Sequence, residues 1–387
     1  MKQWLLLLII CSLIGSIAAC SSSGSKGKAI EPEELPELNA KLTVKKRWSR
    51  TVGAGLGKYY QLITPALYGE RLFASDRKGR LYAFDRIDGR RLWSVNTKED
   101  ISGGIGAFGN LVVVATLKGE VIAFDQTDGS ERWRTSVSSE ILSPPQSNGR
   151  VVVVQAIDGK LYGLDINNGQ QLWLYTSSLP LLTLRGTATP LVTGTMVIAG
   201  LANGKVIALA IADGSFLWQQ RVARPQGRTE LERLVDIDGT PVLQNDIVYV
   251  SSYQGNLVAM NRANGRVLWL QKNSSYQGPA VFGNKVFTVT DEGIIRAFNS
   301  KTGNLVWENS QLLRRQLSAP QQLAGFLTVA DYEGYLHILD PEAGIIVARK
   351  RIDSDGVRSP MITNDAYLYI LGNDGKLAAA SVHLLTK

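Results

Sequence analysis

The sequence predicts an all-β protein, an eight-bladed β-propeller with four-stranded antiparallel blades. The first reason is a repeated unit, represented by residues 79–93, in which a short strand, an Asp-Gly turn and a strand ending in Trp follow one another. The second reason is its period, because the second glycine of the unit recurs every 38 to 51 residues, and periods near 40 are typical of propeller blades. The third reason is that each chain end carries part of a unit.

Each repeat contains the strands of one blade. In the first repeat, residues 64–75 are interpreted as two strands joined by a tight turn. Residues 81–84 then alternate with period 2, as a strand does. The Asp88-Gly89 pair indicates another tight turn, since glycine readily adopts the positive φ that such turns require. The last strand ends in Trp93 and brings the total to four, the composition of one blade.

Tryptophan stands in the outer strand of most repeats, where it can wedge between neighbouring blades and bury on the order of 200 Å². The residue two positions before the repeated Asp is small, as at Ala83, which leaves room for the ring. The seventh repeat has Ala348 in place of Trp. The predicted structural tryptophans are Trp48, Trp93, Trp133, Trp173, Trp218, Trp269 and Trp307.

The two chain ends are predicted to share the eighth blade. An incomplete repeat begins at Ser359 and stops without an Asp-Gly turn or a Trp. A strand ending in Trp48 precedes the first complete repeat. Pairing of this N-terminal strand with the C-terminal blade would close the ring and leave neither chain end as an unpaired strand. One propeller domain is therefore predicted over residues 44–387.

The first 43 residues predict export and membrane anchoring. Residues 1–19 have the basic start and the apolar core of a lipoprotein signal peptide, and this core is too short for a comfortable membrane span. The Ile-Ala-Ala-Cys sequence that ends at Cys20 resembles the bacterial lipobox, which predicts lipidation of Cys20. Ser21, instead of Asp, favours the outer membrane of a Gram-negative bacterium. Residues 20–43 predict a lipidated, flexible tether because they are rich in Ser, Gly and Pro.

Two connections between predicted blades are longer than the others. Residues 174–189 and 219–240 each join an outer strand to the next inner strand. Both should therefore emerge on the same face, and consecutive blades should place them side by side. Long loops on a rigid scaffold are where function concentrates. We interpret this pair of loops as the candidate functional site.

The residue types in these loops are compatible with a protein–protein contact. The first loop presents Leu181, Leu182 and Leu184 beside Arg185, and the second presents Glu230, Glu232, Asp236 and Asp238. Apolar anchors with an Arg and a rim of carboxylates are typical of such contacts. The alternative is that the leucines cover the ends of the blades and that the charges are only solvated. The residues alone leave both interpretations open.

The sequence shows no recognisable catalytic constellation and no metal site. Once the leader is removed, one cysteine and two histidines, His337 and His383, remain, too few for a structural zinc site. The glycine-rich residues 52–58 lack phosphate-loop spacing, and the repeated Asp, as at Asp85, is interpreted as a turn cap. The net charge of +8 lacks an aromatic-interleaved stripe, which argues against nucleic acid. It is compatible with an anionic lipid surface, an acidic protein or simple solubility.

The repeat Ala-x-Asp-x-x-[Thr/Asn/Asp]-Gly-x-x-x-Trp resembles the quinoprotein-type propeller repeat. Together with the lipobox, the tether, the eight-blade count and the long loops, it makes the mature chain resemble the BamB family, lipoproteins of the bacterial outer-membrane β-barrel assembly (BAM) machinery. Residues 182–186 and 233–238 resemble the two partner-binding loops of that family. In the family, these loops contact the periplasmic POTRA domains of the barrel subunit BamA.

The resemblance implies a non-catalytic scaffold without a cofactor, which faces the periplasm, is a monomer within a hetero-complex and assists β-barrel insertion. Unfolded outer-membrane proteins are further candidate partners. The alternatives are a quinone-dependent dehydrogenase, whose family uses a vicinal Cys pair that this chain lacks, and an envelope lipoprotein that scaffolds another complex or binds a cell-wall glycan. The residues implied in BamA binding are Leu182, Leu184, Arg185, Asp236 and Asp238.

Overall fold

The computed structural model describes residues 31–57, 62–184, 186–364 and 366–385 of the 387-residue chain. The described residues contain thirty-two β-strands arranged as eight antiparallel four-stranded sheets. The all-β class and the eight four-stranded blades are therefore confirmed. Within the described parts of the chain, no helix is long and apolar enough to span a membrane.

The strands follow the chain blade by blade. Blade one comprises β2 (Ala66–Tyr68), β3 (Arg71–Ser75), β4 (Arg80–Asp85) and β5 (Arg91–Asn96), and blade two comprises β6 (Ile101–Phe108), β7 (Leu111–Thr116), β8 (Glu120–Asp125) and β9 (Glu131–Ser136). Blade three comprises β10 (Gln146–Ser147), β11 (Val151–Gln155), β12 (Lys160–Asp165) and β13 (Gln171–Thr176), and blade four comprises β14 (Leu191–Val192), β15 (Met196–Gly200), β16 (Lys205–Ala210) and β17 (Phe216–Arg221).

The remaining blades repeat this order. Blade five comprises β18 (Val242–Gln244), β19 (Ile247–Ser251), β20 (Asn256–Asn261) and β21 (Val267–Lys272), and blade six comprises β22 (Ala280–Phe282), β23 (Lys285–Val289), β24 (Ile295–Asn299) and β25 (Leu305–Asn309). Blade seven comprises β26 (Gln321–Leu323), β27 (Phe326–Ala330), β28 (Tyr335–Leu339) and β29 (Ile346–Arg351), and blade eight comprises β30 (Ile362–Asn364), β31 (Tyr367–Leu371), β32 (Lys376–Leu384) and β1 (Leu42–Thr51).

The middle strands of each blade are continuous apolar runs because both of their faces are covered by neighbouring blades. All six residues of β7 are buried, for example. A strand buried on both faces has no reason to alternate, and it reads as an unbroken hydrophobic segment. The short first strands of neighbouring blades contact one another, as β10 does with β14, which places them at the centre of the ring. The fourth strand of each blade is consequently the outer one.

The N-terminal strand closes the ring as predicted. Strand β1 pairs with β32 from Leu42, opposite Leu384, to Thr51, opposite Lys376, with a register shift between Lys46 and Trp48. The eighth blade is thus built from both chain ends. Opening this blade would require breaking a ladder between segments more than 300 residues apart in sequence.

Seven tryptophans each connect a blade to the next one, and blade seven, which has Ala348 at this position, is the exception. The indole of Trp48 donates a hydrogen bond to the carbonyl oxygen of Arg86 at 3.2 Å, and the indole of Trp133 donates one to Ile166 at 2.8 Å. In the order of the seven tryptophans, the acceptors are the carbonyl oxygens of Arg86, Gln126, Ile166, Ile211, Arg262, Ser300 and Pro341. The predicted wedge between blades is confirmed, and these bonds satisfy an N–H that burial would otherwise leave unpaired.

The glycine of each Asp-Gly turn is needed for two reasons. Gly89 has a φ of 70°, in the left-handed region where side chains are strained. A Cβ added there would also lie 2.5 Å from the ring of Trp48 in the preceding blade. The predicted room beneath the ring is present as well, since Ala83 is the register partner of Trp93. The repeated Asp caps its turn as predicted, because Asp85 Oδ1 accepts the amide N–H of Ile87 at 2.8 Å.

Residues from Glu33 to the C-terminus form one compact unit, and the rest of the chain, Met1–Pro32, is a second unit described only at residues 31 and 32. The described part of the predicted tether contacts the propeller. The amide of Glu33 donates to Leu313 O at 3.1 Å, and the amide of Lys41 donates to Val347 O at 2.9 Å. Leu35 and Leu38 between them pack against a buried cluster of blades six and seven. We call residues 33–41 the strap.

Candidate functional site

The two long loops meet on one face of the propeller. The first joins β13 to β14 and the second joins β17 to β18, so both leave an outer strand and enter the next inner strand. Successive antiparallel strands reverse direction, which brings both connections to the same face. The amide of Leu184 in the first loop donates to Asp236 Oδ2 in the second at 3.1 Å. Gly186 allows this approach, because a Cβ there would lie 2.4 Å from Asp238. The loops are adjacent, as the sequence predicts.

Several leucines of the two long loops are exposed on this face. Leu181 is 92% exposed and Leu231 is 69% exposed, and Leu182 and Leu184 are also exposed. Contiguous exposed apolar side chains on a soluble surface mark contact sites more often than chance allows. We call the following set the docking patch: Leu179, Leu181, Leu182, Leu184 and Leu231. Leu181, Leu182 and Leu184 are predicted at this site from the sequence, but Leu231 is not, because charged residues flank it on both sides and no apolar period marks it.

The structure places Asp236 beneath the loops and not at a carboxylate rim. Its side chain is 1% exposed, and its Oδ1 accepts the amide of Ile237 while its Oδ2 accepts that of Leu184. The reason is local, since the flanking Val235 and Ile237 are buried and draw the Asp inward with them. The carboxylate therefore organises the loop pair by satisfying backbone donors from both loops.

Burial perturbs both acidic groups. Desolvation raises the pKa of Asp236 to about 6, although the hydrogen bonds from Leu184 and Ile237 oppose the rise. Desolvation, followed by the charge of Asp236, raises the pKa of Asp238 well above its usual value. Arg185, the remaining predicted contact residue of the site, and Cys20, the predicted lipidation site, lie outside the described residues.

The tip of the second loop is held by a capping arrangement. The carboxylate of Glu232 accepts the amide N–H groups of Arg228 and Thr229 at 2.6 and 3.1 Å, and Thr229 Oγ1 accepts the amide of Glu232 at 3.2 Å. These backbone hydrogen bonds lower the pKa of Glu232. The reciprocal pattern is that of a capping box. It fixes the turn from which Leu231 projects.

The cavity under the loops is too small for an organic cofactor. It measures about 50 Å³ and is lined by Gln155, Thr187, Asp236 and neighbouring residues. Cofactor and drug-sized sites occupy about 300–1,000 Å³. A cavity of this size with polar walls suits one or two ordered waters. Among the described residues, no group of three or more His, Cys, Asp or Glu side chains is arranged to hold a metal ion.

Comparisons with known proteins agree on one family. A family model described as "Outer membrane protein assembly factor BamB" matches residues 77–309 and 291–385. The protein of that name from Pseudomonas aeruginosa is 50% identical over 383 residues, covering 99% of this chain and 100% of the relative. The crystal structure of BamB from Moraxella catarrhalis superposes with a TM-score of 0.81 at 29% identity, over 88% of this chain and 100% of that one.

A more distant similarity concerns the fold alone. A europium-containing methanol dehydrogenase superposes with a TM-score of 0.67 at 15% identity, over 84% of each chain. The propeller architecture is thus shared with an enzyme, and the function of this chain has to be argued from its own loops and surfaces.

Proposed function

The chain belongs to the BamB family of outer membrane protein assembly factors, and from this premise we propose that it is a non-catalytic scaffold subunit of the BAM complex. It is anchored to the outer membrane through lipid at Cys20, faces the periplasm, and binds the POTRA domains of BamA. In this role it assists the folding and insertion of β-barrel proteins.

The observation that supports BamA binding is the docking patch on two mutually fixed loops. Apolar side chains held in place before binding lose less conformational entropy when a partner covers them. The bond between Leu184 N and Asp236 Oδ2 supplies that order. Arg185, which lies outside the described residues, would add a charged anchor next to Leu184. Asp236 and Asp238 act through the shape of the loops, and the leucines supply the contact area.

Co-purification with BamA from detergent-solubilised membranes tests this proposal. The double variant Leu181→Ser/Leu182→Ser should bind BamA at least about tenfold more weakly, since a hot-spot side chain is worth about 1–2 kcal/mol or more. The matched control is Leu268→Ser/Leu270→Ser, which removes two exposed leucines from β21. Both variants should keep the parent's thermal midpoint. Equal BamA recovery with the two variants would contradict the assignment.

We further propose that extended segments of unfolded β-barrel proteins pair with the outer strands of blades three to six. Outer strands have one free edge, and an edge with apolar side chains and few charges readily accepts another strand. The exposed apolar residues on these edges are Leu172, Leu174, Phe216, Leu217, Leu268, Leu270, Leu305 and Val306. The outer strands of blades two, seven and eight carry charged residues instead, in sequences such as Glu-Arg-Trp-Arg and Lys-Lys-Arg-Trp.

Photocrosslinking distinguishes these edges. A photoreactive residue at Leu174 should capture unfolded barrel precursors, and one at Ser94, on the outer strand of blade one, should capture few. Equal capture at both positions would remove the support for edge pairing.

The dehydrogenase alternative is not supported by the cysteines, because the chain has two, Cys11 and Cys20, and therefore no vicinal pair. We expect no dye reduction with quinone, calcium and alcohols, and measurable turnover would overturn the scaffold assignment.

A further inference from the structure

We propose that the outer side of blades seven and eight binds an anionic phospholipid surface, so that one side of the ring contacts the membrane and the other contacts the protein partner. This inference rests on the proposed membrane anchoring. Its basis is a concentration of positive charge on two neighbouring outer strands, β1 and β29, which contact each other. We call the following set the basic rim: Lys45, Lys46, Arg47, Arg50, Arg349, Lys350 and Arg351.

The residues of the basic rim have no directly paired carboxylate among the described residues. None of its seven residues forms an ion pair with a carboxylate in the described parts of the chain. Arg50 donates to the carbonyl oxygens of Asp88 and Gly89, and Arg351 donates to that of Glu333. A hydrogen bond to a main-chain carbonyl oxygen orients a guanidinium group, but it does not neutralise the positive charge that would attract an anionic membrane. Lys45, Lys46, Lys350 and Arg351 are exposed.

The positive charge of the basic rim also affects the neighbouring His383. Partial desolvation and then the charges of Arg47 and Lys45 lower the pKa of His383, which favours the neutral imidazole, so the positive charge of the rim comes from its lysines and arginines. Arg47 nevertheless reaches His383, with 3.0 Å between Nη2 and Nε2, and donates to Ser381 at 2.9 Å. The rim is therefore an ordered positive surface.

Two exposed leucines adjoin the basic rim. Leu384 is 77% exposed and pairs with Leu42 at the start of β1, and Leu385 is 47% exposed and donates its amide to Lys41 O at 3.3 Å. Leucines beside lysines and arginines are the combination that seats a protein in the headgroup region of a bilayer. The leucines distinguish this side from a merely solvated charged face.

The strap brings the chain to this side of the ring. Arg349, itself part of the rim, donates to Pro36 O at 2.6 Å, and Arg315 donates to Glu33 O at 3.0 Å. Glu33 also pairs with Arg314 at 2.8 Å. Twelve residues lie between Cys20 and Glu33, and this segment can span at most about 45 Å when extended. A lipid at Cys20 therefore keeps the strap, and with it blade seven, within that distance of the bilayer surface.

The arrangement is complementary to the docking patch. The two long loops flank blade four, and in a ring of eight blades the position across from blade four is blade eight. Contact of blades seven and eight with lipid leaves the docking patch uncovered, because the patch lies on one face of the ring beside blade four. One rigid ring can then engage a membrane and a periplasmic partner simultaneously.

Vesicle flotation of the chain without its first 20 residues tests the proposal, because this form has no lipid and retains every described strand. It should float with vesicles of phosphatidylglycerol and phosphatidylethanolamine and remain unbound to phosphatidylcholine vesicles. A Lys near an anionic membrane contributes about 1 kcal/mol, which is roughly a fivefold change in affinity. The variant Lys45→Gln/Lys46→Gln/Lys350→Gln should therefore bind roughly a hundredfold more weakly.

The matched control is Lys98→Gln/Lys272→Gln/Lys301→Gln, which removes the same charge from exposed positions on blades one, five and six. It should float like the parent, and both variants should keep the parent's thermal midpoint. Absence of flotation by the parent, or equal loss in both variants, overturns the proposal. Co-purification of BamA with the rim variant tests the proposed function separately. A failure of lipid binding can therefore be distinguished from a failure of BamA binding.

Discussion

Replacing Trp48 by alanine tests the closure of the ring, and the structure sets the expected cost. The indole is buried, donates to Arg86 O at 3.2 Å, and sits against Gly89, where a Cβ would lie 2.5 Å from the ring. Truncation removes this inter-blade contact and leaves a cavity, and such changes at buried Trp cost about 3–5 kcal/mol. Phenylalanine keeps most of the buried ring and loses the N–H···O bond, which is worth about 1 kcal/mol.

Urea unfolding followed by far-ultraviolet circular dichroism measures these costs. The matched control is Trp133→Ala, because Trp133 makes the same contact between blades two and three, with its indole 2.8 Å from Ile166 O. The two alanine variants should lose similar amounts of unfolding free energy, and Trp48→Phe should lose much less. If the N-terminal strand were not part of the ring, Trp48→Ala would stay within about 0.5 kcal/mol of the parent while Trp133→Ala remained costly. That outcome would refute the closure.

Two further predictions concern buried carboxylates. Asp236→Ala should loosen the loop pair, speed hydrogen exchange at the Leu184 amide and weaken BamA binding, since each unpaired buried donor costs about 1–3 kcal/mol; Asp236→Asn keeps one acceptor and should lie between Asp236→Ala and the parent. Burial, and then the neighbouring Asp374, raises the pKa of Asp353 to about 7, so between about pH 4 and 7 its folded state holds a proton that its unfolded state has released, and thermal stability should fall as pH rises across this range and level off above it. Asp353→Asn should flatten this dependence between about pH 4 and 7, and an unchanged pH profile would contradict the assignment.

Most of the fold can be predicted from the sequence because the same sequence features recur in most of the blades. The period, the Asp-Gly turn and the tryptophan each appear many times, and each has one physical role that the structure bears out at Asp85, Gly89 and Trp48. Loop adjacency is predictable for the same reason, since strand alternation alone decides on which face a connection emerges. These inferences depend on local spacing and on topology, which a sequence displays directly.

The remaining features depend on neighbours that are distant in sequence. The burial of Asp236 results from the packing of Val235 and Ile237. An acidic residue in a loop is normally expected to be exposed, so the sequence does not predict this burial. The basic rim joins strands β1 and β29, which lie at opposite ends of the chain and meet only because the ring closes. The strap contains three glutamates and one proline and is predicted as part of the tether, yet its carbonyl oxygens accept hydrogen bonds from Arg315, between blades six and seven, and from Arg349 of blade seven.

Site-specific photocrosslinking in living cells measures the central claim most directly, which is that the two long loops form the surface that binds the partner. A photoreactive residue is placed at Leu182 in the docking patch, and a second chain carries it at Leu268 on the outer strand of blade five. We expect an adduct with BamA from position 182 and little or none from position 268. Absence of the BamA adduct at 182, or adducts of equal yield at both positions, would contradict it.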